Sequence, residues 1–501
     1  MKNYPNLFRE GKLGKRTTKN RIVMSPMGDN MANADGSVSE QSLAYYTERA
    51  KGGAGVIIAG VVSVDYPRGK TIPCQHRLDG IKYVKGWERM ARDIHRYGAL
   101  LLPQIHHAGA STDLVTTEGL TPYRVSDEME KTTQVGSKVD EGTFTPEDYQ
   151  TLTYEDIKEL EQKFITCAVY AQKAGCDGVE IHGISYLICQ FFTRATNHRA
   201  DEYGGSLENR CRFAVNIIKG IREACGADFI IGIRMPVHKW ETDGFTDEES
   251  IQMAQAFEKA GCDFLDANGG IPPTITCLLE TQRYEQGDRV HLAKKIREHV
   301  SIPVFAIGNL REPDFCEEVL ASGSADFVML GRPLIADPYW PEKAENGKAD
   351  EIRKCISCLD ACYGNLAKAQ SVRCVLNPTV GYESELKVEP PVKESKRIVI
   401  VGGGLAGMQA AITANERGHE VIILEESGQL AGQMNLACKP PHKAYVNWAI
   451  DWFTKEIGRQ SIKVELNKKA DLATIKTYNP DLVFVATGSK PWAPKIEGIE
   501  Y

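Results

Sequence analysis

From Arg21 to about residue 345 the chain alternates short apolar runs with longer segments whose apolar residues recur every three or four positions. Short runs of that kind read as buried strands and the 3.6-residue recurrence reads as covering helices, so the pattern predicts repeated β-α units around a parallel sheet. Eight strands are predicted: RIVMS from Arg21, GVIIAG from Gly55, ALLLPQI from Ala99, GVEIH from Gly178, FIIGIRM from Phe229, FLDAN from Phe264, IPVFAIG from Ile302 and DFVMLGR from Asp326. Eight βα units close a barrel. Helical segments fit between them, as in YEDIKELEQKFITCAVYAQKAG from Tyr154, where Gly175 stops the helix ahead of the next strand. The stretch from Ala110 to Thr153 is polar and irregular, which predicts a lid or rim loop.

Past the barrel the pattern changes. A cysteine-bearing stretch is followed by VEPPVKESK from Val388, whose charge and prolines mark a linker. At Arg397 the sequence RIVIVGGGLAGMQAAITANERGHEVIILEE reads as strand, glycine turn, helix and second strand, a mononucleotide-binding βαβ unit, and DLVFVATG follows from Asp481. The predicted fold class is α/β: a TIM barrel over 1–345, a four-cysteine segment over 346–387, a linker over 388–396 and a partial Rossmann-like domain over 397–501.

A length of 501 residues agrees with several domains. A net charge of -7, with 42% hydrophobic and 25% charged residues, describes an ordinary globular protein and argues against a nucleic-acid partner. The N-terminus MKNYPNLFREGKLGKR lacks a signal-peptide core, and no run approaches the ~18 apolar residues of a membrane helix. The expected setting is the cytoplasm, with a small-molecule substrate and no membrane; a homo-oligomer and an electron-carrier protein stay open as partners.

Of the 14 cysteines, ten are scattered and read as small buried apolar residues. Cys355, Cys358, Cys362 and Cys374 instead form C-x2-C-x3-C-x11-C. Four thiolates suit tetrahedral zinc, yet zinc sites usually pair two C-x2-C knuckles, whereas three crowded cysteines and a distant fourth suit a [4Fe–4S] cluster. Such a cluster between two nucleotide domains is expected to relay electrons.

In the glycine turn, Gly402 permits the bend, Gly404 lets a pyrophosphate approach the helix N-terminus and Gly407 allows close helix–strand packing. Glu425 ends the second strand where a carboxylate can accept hydrogen bonds from a ribose diol. The turn by itself accommodates FAD or NAD.

Barrel sites lie at the C-terminal ends of strands. There the sequence places Ser25-Pro26-Met27, Gln104, His182, Arg234, Asn268-Gly269-Gly270, Gly308-Asn309 and Gly331-Arg332. The loops after strands seven and eight, with their glycines and Arg332, are expected to hold a phosphate. Gln104 suits the edge of a flavin ring and Arg234 the negative charge of a reduced one. Tyr186, four residues past His182, is a candidate proton donor, and His182 a candidate hydrogen-bond donor to a carbonyl oxygen. A packed rim tyrosine and an ordinary buried histidine are the plain alternatives.

The segment NHRADEYGGSLENRCRF from Asn197, with SPM at Ser25, QIHHAG at Gln104 and LGRPLIADPYW at Leu330, resembles the old yellow enzyme barrel. The four cysteines and the glycine turn narrow the resemblance to the long branch of that family, which holds 2,4-dienoyl-CoA reductase, 2-enoate reductase, trimethylamine dehydrogenase and the bile-acid enoate reductases. The resemblance spans essentially the whole chain. It implies FMN in the barrel, [4Fe–4S] on the four cysteines and FAD, or in the amine dehydrogenase only ADP, at the glycine turn, with NAD(P)H as electron donor and Gln433, in LAGQ, as a further match to the FAD fold. It also implies flavin contacts from Ser25, Met27, Gln104, Arg234, Gly331 and Arg332, and proton donation from Tyr186.

Several positions depart from the family pattern. The segment GIS after His182 is one residue short, so the usual pair of carbonyl donors is not evident. The loop after strand six reads NGGIPPTIT where dienoyl-CoA reductases carry a histidine. Asn309 stands where a basic residue often helps hold the phosphate, leaving more of that role to Arg332. The chain ends at Tyr501 with a single glycine fingerprint, which predicts half of an FAD fold, either truncated or with a different electron input. The expected activity is NAD(P)H-dependent reduction of a C=C bond conjugated to a carbonyl, carboxylate or thioester. An amine dehydrogenase and a non-catalytic flavin electron-transfer subunit are the alternatives.

Overall fold

The structure, a computed structural model of the chain, describes residues 3–127, 148–238, 244–269, 279–386, 392–490, 492 and 494–498. Much of the predicted 110–153 rim loop, the GIPPTIT segment and the start of the 388–396 linker lie outside the described residues. The chain divides into two compact units, Met1–Leu386 and Lys387–Tyr501.

All eight predicted strands of the first unit form: Ile22–Met24, Val56–Ser63, Leu100–His106, Gly178–His182, Ile230–His238, Phe264–Gly269, Val304–Ala306 and Phe327–Leu330. They are numbered one to eight below. Each pairs in parallel with its sequence neighbours, and strand one pairs with both strand eight and strand two, which closes the barrel. Three barrel helices begin where side-chain caps satisfy their free N–H groups: capping boxes on Ser39, Thr153 and Thr246 open Glu40–Lys51, Tyr154–Lys173 and Asp247–Ala260. Gly175 follows the Tyr154 helix in the left-handed region, φ +79°, as its position predicted.

The two-residue period of the strands sorts the barrel interior into layers. Val23, Ile58, Leu102, Ile230, Phe264, Phe305 and Phe327 fill its lower part, with Leu13 of the Gly11–Leu13/Arg16–Thr18 hairpin packed beneath. The rings of Phe264 and Phe305 stack 4.4 Å apart. Gly232 makes room for them, since a Cβ there would lie 2.0 Å from the Phe264 ring. Two residues further up the same inward faces, the interior turns polar: Gln104, Glu180, Arg234 and Asp266 are all buried.

The four-cysteine segment belongs to the first unit, held by Val372 N–H donating to Asp29 O at 3.0 Å and Ser371 Oγ donating to Asn30 O at 2.9 Å. Of the scattered cysteines, Cys167, Cys176, Cys189, Cys211, Cys225, Cys262 and Cys316 are buried, as expected of small apolar residues. Cys74 and Cys438 are half-buried, and Cys277 lies outside the described residues.

The second unit is a four-stranded parallel sheet, ordered Lys463–Glu465, Glu420–Leu424, Arg397–Val401, Leu482–Val485, with the helix Leu405–Glu416 following the first strand in sequence. Among the described residues no helix is long and apolar enough to cross a membrane.

Candidate active site

Above the polar layer, at the C-terminal ends of the strands, lies a cavity of about 250 Å³. Every barrel residue singled out from the sequence as catalytic or cofactor-binding lines it. Ser25, Pro26 and Met27 come from the end of strand one, Gln104 from strand three, His182 from strand four with Tyr186 just beyond, and Arg234 from strand five. Gly308 and Asn309 follow strand seven, and Gly331 and Arg332 follow strand eight. Parallel strands in one closed sheet bring their ends to one rim, which is why residues 300 positions apart in sequence meet.

The floor is an ionic network. Arg234 Nη2 donates to Ser25 Oγ at 2.9 Å, its Nε pairs with Asp266, and Glu180 lies 3.9 Å away. Gln104 Nε2 donates to Glu180 Oε1 at 2.7 Å. Burial raises the carboxyls of both Glu180 and Asp266, with Arg234 pulling the other way. Burial also opposes the Arg234 charge, but Asp266 and Glu180 outweigh it and hold the guanidinium charged. Strands one, three, four, five and six are thus tied together directly under the cavity. Sequence reasoning missed Glu180 and Asp266, although each is a charged residue inside an apolar run, GVEIH and FLDAN.

One corner gathers cations. Asn309 Oδ1 accepts from Arg311 Nη2 at 2.7 Å and from Arg332 Nη2 at 3.0 Å. Glu280 pairs with Arg332 at 2.9 Å and with Arg289 at 3.0 Å, and Arg289 Nη1 donates to Asn268 Oδ1 at 2.9 Å. Arg311, two residues past Asn309, and Arg289 bring two further guanidinium groups to this corner.

On the wall, three rings meet. Tyr186 and His182 lie 4.9 Å apart between centroids, and His106 contacts both, at 4.4 Å and 5.1 Å. Gln104 and His106 share the inward face of strand three, so the period of the strand that found the first also places the second. Desolvation drops the His182 imidazole to about 3 and lifts the Tyr186 phenol to about 12, so both are neutral at ordinary pH. Thr71 lines the same cavity as Tyr186, and Gln75 Oε1 fixes it by accepting from its N–H at 2.7 Å. A neutral phenol and a neutral imidazole on one cavity wall are able to donate a proton and a hydrogen bond.

The four motif cysteines, all free thiols, converge on a second, smaller cavity walled by Ile335, Ile356, Leu359 and Leu376. Cys355 and Cys362 line the main cavity as well, so the two spaces share a wall. Ser357 and Leu359 take left-handed backbone conformations, φ +49° and +60°, which curl the chain around this point. Backbone N–H groups of Ser357 and Leu376 donate to Cys355 Sγ and Cys374 Sγ, each at 3.4 Å, an arrangement suited to thiolates. Among the described residues no three His, Cys, Asp or Glu side chains converge tightly enough to hold a single metal ion.

In the second unit the glycine turn has the geometry a dinucleotide needs. Gly402 sits at φ +109° with Ala486 O 2.3 Å from any added Cβ, and a Cβ on Gly407 would lie 2.0 Å from Gly402 O. Beside Gly404 there is open space. Glu425 accepts from Gly403 N–H at 2.6 Å and Ser427 N–H at 2.8 Å; burial works against its charge, but these donors hold the carboxyl below the usual range. Ala431 N–H donates to Gly403 O at 2.8 Å, laying the LAGQ loop over the turn, and Gln433 donates to Ser489 O.

Residues 6–351 match the NADH:flavin oxidoreductase / NADH oxidase family, and residues 396–501 match the pyridine nucleotide-disulphide oxidoreductase family. The chain is 46% identical to the NADH oxidase of Thermoanaerobacter brockii, over 100% of its own length and 75% of that protein's. It is 33% identical to the cinnamate reductase of Clostridium sporogenes, covering 99% and 76%. The solved structure of 2-naphthoyl-CoA reductase with 2-naphthoyl-CoA superposes with a TM-score of 0.91 at 31% identity, over 99% of this chain and 76% of that one. With its eight-stranded barrel, rim cavity and C-terminal nucleotide fold, the chain belongs to the NADH:flavin oxidoreductase / NADH oxidase family, in the long branch of the old yellow enzymes, and is an oxidoreductase.

Proposed function

We propose that the protein reduces a carbon–carbon double bond conjugated to a carbonyl, carboxylate or thioester, drawing electrons from NAD(P)H. The observation that carries this reading is the pairing of Tyr186 and His182 on the wall of the cavity that Gln104 and Arg234 floor. FMN in that cavity, a [4Fe–4S] cluster on Cys355, Cys358, Cys362 and Cys374, and FAD on Gly402, Gly404, Gly407, Glu425 and Gln433 supply hydride transfer and single-electron relay when bound.

The protein's own groups do the rest. Gln104 hydrogen-bonds the ring edge, Arg234 offsets negative charge on it, and Ser25, Pro26 and Met27 pack against it. Gly308, Asn309, Gly331 and Arg332 hold the phosphate, with Arg289 and Arg311 adding positive charge. The cluster suits the donor set better than zinc does, because three crowded cysteines and a distant fourth line one cavity. His182 donates a hydrogen bond to the carbonyl oxygen, where negative charge develops as the β-carbon is reduced. Tyr186 then passes its phenolic proton to the α-carbon.

Anaerobically reduced protein, offered cinnamate, a dienoyl-CoA and a 3-oxo-4-ene steroid in turn, is expected to have its flavin reoxidised by at least one. Reoxidation by none, together with amine-dependent bleaching of the oxidised flavin, would replace this reading with an amine dehydrogenase.

A further inference from the structure

The loops after strands six and seven are fastened to the turn that carries Cys355 and Cys358. Arg311 Nη2 donates both to Asn309 Oδ1, at 2.7 Å, and to Ser357 Oγ, at 2.6 Å. Lys354 pairs with Glu312 at 2.5 Å, and Gln282 Nε2 donates to Ile356 O at 2.7 Å. Arg311 is itself pinned: Trp340 Nε1 donates to its carbonyl at 2.8 Å, and its N–H donates to Gln286 Oε1 at 2.9 Å. Only 1% of Arg311 and 2% of Ser357 is exposed, so water screens this contact poorly.

Ser357 therefore faces two ways. Its hydroxyl accepts from a permanently charged guanidinium, and its backbone N–H donates to Cys355 Sγ at 3.4 Å. The same guanidinium grips Asn309, which also accepts from Arg332 in the anion corner of the main cavity.

We propose that Arg311 and Ser357 are positioning residues that couple the anion corner of the barrel to the four-cysteine site and raise the reduction potential of the cluster held there. The proposal rests on the cluster reading above. Reducing a cubane by one electron adds negative charge to the iron–sulfide core and its thiolates. A buried positive charge and an N–H···S hydrogen bond beside one thiolate favour that more negative state. Arg311 Nη2 holds both in place, because it orients the turn whose N–H meets Cys355.

The test is EPR-monitored potentiometry of anaerobically purified wild-type protein and of Ser357→Ala, Ser357→Thr and Arg311→Lys, each with its iron and flavin measured. Ser357→Ala is expected to bind full iron and flavin while its cluster becomes harder to reduce, by roughly tenfold in the one-electron equilibrium, about 59 mV. Ser357→Thr keeps the hydroxyl and is expected to restore the wild-type potential. Arg311→Lys keeps the charge, loses the rigid planar placement of the donor at Nη2 and is expected to shift in the same direction by less; it carries the test if Ser357→Ala fails to fill with iron. Wild-type potentials in every iron-replete variant would overturn the coupling while leaving the cluster in place. Wild-type protein without iron would overturn the coupling together with the cluster reading, a result told apart by the iron analysis alone.

Discussion

His106 stands edge-on to Tyr186, ring centroids 4.4 Å apart and planes at 87°, with both of its ring nitrogens buried and, among the described residues, without a hydrogen-bond partner. Desolvation, with His182 and His107 nearby, holds this imidazole far below its ordinary range, so it is neutral. A buried polar group without a partner costs about 1–3 kcal/mol, a cost that folding alone does not explain. His106→Leu is therefore expected to raise stability by about 1 kcal/mol while slowing flavin reoxidation by substrate, because Tyr186 loses the ring that orients it. Calorimetry beside stopped-flow absorbance checks both halves, and a loss of stability would show that the nitrogens are satisfied by water.

Tyr186 is expected to behave as a proton donor whose phenol stays protonated far into the alkaline range. An ordinary tyrosine ionises near pH 10, whereas desolvation lifts this one to about 12. The rate of substrate-dependent reoxidation should therefore show no fall through pH 10 that is traceable to Tyr186. Tyr186→Phe should lower turnover by about 10²–10⁴-fold with an unchanged flavin spectrum, measured in single-turnover experiments.

Arg234 and Asp266 are a fully buried ion pair, and breaking such a pair leaves an uncompensated charge. Asp266→Ala is expected to destabilise the barrel by about 3–5 kcal/mol in urea unfolding and to lower flavin occupancy. Asp266→Asn, which keeps an acceptor for Arg234, should cost less.

His95 Nε2 meets Asp177 Oδ2 at 2.8 Å, and that hydrogen bond raises the histidine above its usual 6.5. A group raised in the folded state stabilises most below its unfolded value, and the contribution disappears as pH climbs through the folded one. Stability from this pair is thus present in full below about pH 6.5 and is lost as pH rises through the raised folded value. With 38% of the His95 side chain exposed, screening keeps the effect small. His95→Gln should flatten this part of the pH–stability curve, read from melting temperatures between pH 5 and 9.

Gly407→Ala places a methyl group 2.0 Å from Gly402 O, and the helix must move off the strand to admit it. FAD content is expected to fall while flavin in the barrel and iron are retained, measured by chromatography of released flavins.

How much was legible in the sequence follows from which interactions are local. Hydrophobic period, capping residues and turn glycines are properties of neighbouring positions, so the eight strands, the helix from Tyr154 and the Gly402 turn could be read directly. The rim rule then collected Ser25, Gln104, His182, Arg234, Asn309 and Arg332, because parallel strands in a closed barrel all end at one face. What escaped depends on contacts between strands. Glu180 and Asp266 gain meaning only as partners of Arg234, and His106 only where strand three passes strand four. Arg289 and Arg311 join Arg332 beside Asn309 because two loops from different strands close on the same corner. The sequence by itself determined the barrel, the nucleotide turn and the inventory of reactive groups. Only the tertiary structure decided which charges neutralise one another and that Cys355 and Cys362 share a wall with the main cavity, since burial and distance are created by the closing of the chain on itself.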